Sequence, residues 1–176
     1  KCHELKVQIA DLRRLNPDAA QKKDLNEAER AVQRYDANAD TGNEVLDVVL
    51  TEKGMHCEAR HITLNCVVDG SAVAFVEPGD LYALFSNALD QAIDAAARQM
   101  DEPRWMIDLL VCKRQGFTVI NIISPVVTEA PARAARQHNY ELKVMRRIVQ
   151  KYNGTMTTEN QNVLGAVKIV LPPPKS

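Results

Sequence analysis

The stretch PGDLYALFSNALDQAIDAAAR, residues 78–98, decides how the rest of the chain is read. Leu81, Leu84, Phe85, Ala88, Leu89, Ala92 and Ile93 recur at three- and four-residue steps, which lays a broad apolar face along one side of a helix. Pro78 suits its first turn, where no backbone N–H is needed. The expectation is a helix packed on a sheet. The other side carries Asn87, Asp90, Gln91 and Asp94 at the same spacing. Two readings of that polar line stay open. It is a solvated surface, or it holds a magnesium-bound triphosphate, since Mg2+ takes oxygen ligands and keeps several waters.

Downstream, RWMIDLLVCKR (104–114), the turn Gln115–Gly116 and FTVINIIS (117–124) predict a β-hairpin of two core strands. PVVTEAPARAARQ (125–137) has two prolines and weak periodicity, and reads as a mobile loop. A helix follows over HNYELKVMRRIVQKYNG (138–154), packing through Leu142, Met145, Ile148 and Val149 and stopping at Asn153–Gly154. Two more strands around a turn near Asn160–Asn162 precede the frayed tail PPPKS.

Upstream, ITLNCVV (62–68) is a β-branched strand closed by Asp69–Gly70. From Asp24 to His61 there is no proline, and Ala28, Val32, Tyr35, Ala39, Gly42, Leu46, Val49 and Lys53 repeat about every 3.5 residues. HELKVQIADLRRL (3–15) carries Leu5, Ile9, Leu12 and Leu15 on one stripe and is interrupted at Asn16–Pro17–Asp18. The spacing predicts a two-helix hairpin over 1–61 that pairs with a second copy into a four-helix bundle; the alternative is a helix folded back on its own domain. Residues 62–176 then form an α+β sandwich, with helices on one face of a mixed, largely antiparallel sheet.

Composition bounds the function classes. The 22 basic and 23 acidic residues give a net charge of -1, which argues against a dedicated nucleic-acid binder. Cys2, Cys57, Cys66 and Cys112 stand far apart, without the paired spacing of a zinc site, and read as reduced, buried thiols. No run approaches the length of a membrane span. The chain begins at Lys1 rather than Met, as expected for part of a longer protein with any membrane segment in the missing part.

Four segments carry a resemblance: KCHELKVQI (1–9), DANADTGNEVLDVVLTEK (36–53), DLYALFSNALDQAIDA (80–95) and LKVMRRIVQKYNG (142–154). In this order, over nearly the whole chain, they resemble the cytoplasmic core of sensor histidine kinases, in the branch with a GHKL-type ATPase domain that includes quorum-sensing receptors of Gram-positive bacteria. The resemblance implies that His3 is the phosphoacceptor and that Glu4, the acidic residue after it, takes a ring proton to raise its nucleophilicity. It implies ATP and Mg2+ as cofactors, with Asn87 and Gln91 at the metal positions and Asp90 and Asp94 on the same helix. Asn121 lies near the adenine strand, 125–137 corresponds to the lid, and His138 and Asn139 stand at its end. The implied partners are a second copy, through the N-terminal helices, and a response regulator. The implied location is the cytoplasmic side of a bacterial membrane-bound receptor, reached through a sensor region before Lys1.

Three departures bear on the chemistry. Gln91 stands where the family has a metal-binding asparagine, and its extra methylene displaces the amide oxygen by about a bond length. Where the family reads roughly His-Gly-x-Gly-Leu, this chain has His138-Asn139-Tyr140-Glu141-Leu142, which removes the glycines that leave room for phosphate at a helix start. Glu141 also brings a carboxylate toward the triphosphate. Two functions follow from the resemblance: a working kinase that autophosphorylates His3 and passes the phosphate on, and a degenerate pseudokinase that keeps dimerisation and regulator docking with little or no ATP binding. A structural dimer unrelated to signalling is disfavoured, because the likeness covers motif-bearing segments.

Overall fold

The computed structural model describes residues 40–98, 106–126, 132–161 and 163–174. The chain divides between Ala39 and Asp40, and every described residue belongs to the second unit. The expected first helix, the front of the second, and with them His3 and Glu4, lie outside the described residues.

The elements run α1 (Glu44–Ala59), β1 (Thr63–Val68), a 3-10 turn (Gly70–Val73), α2 (Pro78–Arg98), β2 (Met106–Arg114), β3 (Phe117–Pro125), α3 (Ala132–Lys151), β4 (Thr155–Gln161) and β5 (Leu164–Leu171). The strands form one sheet in the order β1-β2-β3-β5-β4. Only β1 and β2 are parallel; the other pairs are antiparallel. This is the mixed, largely antiparallel α+β sandwich expected from the sequence. Gln115 (φ 51) and Gly116 (φ 85) make the predicted two-residue turn between Arg114 and Phe117.

The core lies between the sheet and the helices. Ile107, Leu109 and Val111 of β2, Ile120 and Ile122 of β3, and Ile169 and Leu171 of β5 are buried on one face. Leu84, Phe85 and Ala88 of α2 close on Ile120, Ile122 and Ile169 and leave no space for a water. α2 occupies the residues predicted for it, because its apolar face was continuous in sequence.

The long helix expected from Asp24 to His61 is not continuous in its described part. Gly42 has φ 81, a left-handed conformation, so the predicted seam is broken at that residue. Asn43 caps a new helix, its side chain accepting from the N–H groups of Val45 and Leu46. Thr41 donates from N and Oγ1 to Asp47 Oδ1, each at 2.8 Å. Gly70 N–H donates to Thr41 O at 2.9 Å, and a Cβ on Gly70 would stand 2.5 Å from that oxygen, which excludes other side chains there. Leu46, Val49 and Lys53, read as seam residues, are buried within this unit, where α1 packs on α2.

The second difference is α3. It begins at Ala132, so six residues read as loop are helical, and the expected start at His138 is in its interior. The ARAARQ run is rich in strong helix formers and follows Pro131, while the glycines that would interrupt it are missing. Of the cysteines, Cys57 is buried, and burial pushes its thiol up to about 11 despite nearby Arg60. Cys66, expected to be buried, is exposed on β1 because β1 is an edge strand.

Candidate nucleotide site

The polar side of α2 runs between its two neighbouring helices, and most of its groups are already engaged. Asn87 is half-buried and donates from Nδ2 to Ala83 O of its own helix at 2.8 Å. Asp90 Oδ1 pairs with Lys53 Nζ of α1 at 2.8 Å. Gln91 is only 8% exposed and donates from Nε2 to His138 O of α3 at 3.1 Å. Asp94 is exposed.

Lys53 is the residue that sequence reasoning missed. Its side chain is 4% exposed, and it holds both Asp90 and Glu52, the latter at 3.2 Å. Burial alone would lower its pKa, but bonds and charge from Asp90 and Glu52 outweigh it and raise Lys53 above its ordinary value. Glu52 is lowered, chiefly by Lys53, and also accepts from Tyr82 Oη at 3.1 Å. A lysine at an apolar-spaced helix position was the available signal, because a buried ammonium requires a carboxylate nearby.

At the front of α3, His138 and Asn139 are exposed and helical, and of the two only the His138 carbonyl touches Gln91. Asn139 does not take the left-handed conformation open to it. Glu141 is 8% exposed on the same stripe as Met145, Ile148 and Val149, and accepts from Gln137 Nε2 at 2.8 Å. Because α3 starts at Ala132, the N–H groups of 138–141 are in the helix interior rather than free at its start.

Asn121 is not brought to this site. Side chains alternate along β3, with Thr118, Ile120 and Ile122 buried on the helix side, so Asn121 projects from the other face, in register with Leu110 and Lys168. The residue expected near adenine thus faces away from α2.

The opposite end of the α2–α3 pair has a dense polar junction. Lys151 Nζ meets Glu77 Oε2 and Asp80 Oδ2, each at 2.7 Å. Tyr152 Oη accepts from Glu77 N–H at 2.9 Å and donates to Asp80 Oδ2 at 2.7 Å. The bonds from Lys151 and then Tyr152 hold the Asp80 carboxyl below its usual range. Phe75 stacks edge-on against Tyr152, ring centres 6.1 Å apart.

The polar line is engaged by its neighbours: Gln91 Nε2 is bound to a backbone carbonyl, with Oε1 as the atom a metal would take, Asp90 neutralises Lys53, and Glu141 sets a carboxylate on the α3 face that carries the core contacts. Among the described residues, no three His, Cys, Asp or Glu side chains cluster as a metal site. Nor is any described helix long and apolar enough to cross a membrane.

Residues 76–172 match the GHKL domain family. In structure the chain is similar to the nucleotide-free catalytic domain of histidine kinase ThkA, with TM-score 0.55 and 14% identity, covering 77% of this chain and 97% of that one. It is also similar to histidine kinase AdeS of Acinetobacter baumannii, with TM-score 0.55, 15% identity and 98% of each chain covered. At such identities the likeness establishes the fold. No curated protein matches the sequence.

Proposed function

Because the chain belongs to the GHKL-domain family, we propose that it is a degenerate histidine-kinase ATPase domain, a signalling and binding module that keeps the fold without forming a Mg-ATP complex. It pairs with a second copy through its N-terminal helices, expected over 1–61, and docks a response regulator, as part of a bacterial receptor. The bond from Gln91 Nε2 to His138 O carries this reading. It ties the residue at the family's metal position to the helix that stands where the lid would end. Lys53 on Asp90 and the buried Glu141 support it.

A working kinase, the other function implied by the resemblance, requires α3 to unwind as far as about Glu141 and Gln91 to leave the carbonyl. Losing nearly three turns of helix and a hydrogen bond opposes nucleotide entry, and no glycine at 139 or 141 eases it. The test is phosphate labelling from radioactive ATP with Mg2+. The expected result is no label above background. Label that disappears in His3→Ala would overturn the proposal and restore catalysis, with His3 as acceptor.

A further inference from the structure

Charge is distributed unevenly in this molecule. α3 contains six Lys and Arg residues and one carboxylate, a net charge of +5 in a chain whose total is -1, so everything outside the helix sums to -6. The carboxylate, Glu141, is buried on the opposite side of the helix from the exposed arginines. Arg136, Lys143 and Arg147 follow one another at seven and four residues and share the solvent-facing side, opposite Met145, Ile148 and Val149. Arg133 and Arg146 flank them, also exposed. Among the described residues none of these five makes an ion pair; Arg136 reaches only Ala132 O of its own helix. Tyr140 lies in the same stripe and is 65% exposed.

We infer that this outer face of α3 is a docking surface for an acidic segment of a partner protein. The stripe from Arg136 to Arg147 is about 16 Å long at 1.5 Å per residue, the reach of three helical turns of a partner. Arginines pair bidentately with carboxylates, and an exposed tyrosine among arginines has the composition of interface anchors. Two other anionic occupants suit the molecule less. The apolar side of α3 is committed to the core, so the helix has no face to insert into a membrane. A membrane or nucleic-acid duplex also extends past the stripe to the net negative charge of the other described residues, whereas a short acidic segment stays within about 10 Å, one screening length, of the arginines.

The test uses the 176-residue chain and three probes: a fluorescein-labelled Glu-rich helical peptide, phosphatidylcholine vesicles containing phosphatidylserine, and a mixed-sequence DNA duplex, each at about 50 mM and about 300 mM salt. The peptide is expected to bind most tightly and to weaken with salt. Arg136→Glu, Lys143→Glu and Arg147→Glu together should weaken it about tenfold or more. The Gln versions should give a smaller loss in the same direction, should charge reversal disturb the fold. Tyr140→Ala should weaken it severalfold with the salt dependence unchanged. Absent peptide binding, equal binding by the Glu and Gln variants, no effect of Tyr140→Ala, or tighter binding of vesicles or duplex would each overturn the inference.

Discussion

The two ends of the α2–α3 pair share one scaffold and differ in what their polar groups do. At the Lys151 end, Glu77, Asp80 and Tyr152 join the start of α2 to the end of α3, and Gly154 admits the chain beside Leu171 and Val149. At the His138 end, Gln91 and Asp90 bind the neighbouring helices. One end joins the two helices through ion pairs and hydrogen bonds. On the proposed reading, no ligand constrains the geometry of the other. The difference teaches that retention of a fold and retention of its chemistry are separate questions within a single pair of helices.

The comparison can be broken first at the scaffold. Met145→Ala removes a fully buried side chain between α3 and its neighbours and should cost about 2–5 kcal/mol in urea unfolding. A cost below about 1 kcal/mol would mean that α3 is not packed as described. Gly154→Ala should also destabilise, because a Cβ there would meet Leu171 Cδ2 at 2.5 Å and Val170 O at 2.7 Å.

Next comes the α1–α2 contact. Asp90→Ala strips a buried ammonium of its better partner and should cost about 1–2 kcal/mol, a figure discounted because Asp90 is itself 41% exposed. Adding Lys53→Met should recover most of that loss, whereas losses that simply add would show that the two residues are not coupled.

The Lys151 junction should register in the acid limb. The folded-state pKa of Asp80 lies below its unfolded value of 3.8, so its contribution is present above that pH and fades as pH falls through the folded value. Asp80→Asn should therefore lower stability at neutral pH and flatten the loss below about pH 4, read from urea midpoints across pH. The smallest effect belongs to the nucleotide end: Gln91→Ala removes one hydrogen bond to a carbonyl and should change stability by no more than about 1 kcal/mol.

The apolar faces were legible in the sequence because burial imposes a period. α2 was placed at Pro78–Arg98, the β2–β3 hairpin turned at Gln115–Gly116, and β1 fell within 62–68. Gly42 was read into a continuous seam, although its backbone freedom breaks it. The early start of α3 escaped because the ARAARQ run has helix propensity without an apolar stripe, and periodicity registers only the stripe. Of the candidate site, the α2 polar line was found but not what it touches, because the reach from Gln91 to His138 and from Asp90 to Lys53 is set by tertiary packing. The side that Asn121 faces went unread for a simpler reason: a strand alternates, and neighbouring residues face opposite sides.

The central claim is that the His138 end no longer holds nucleotide, and titration of the purified chain with Mg-ATP by calorimetry tests it most directly. Gln91→Asn, Asn139→Gly and Glu141→Gly combined should shorten α3, reopen the metal position and restore binding heat. The natural chain should show none in the micromolar range; micromolar binding by that chain would contradict the account.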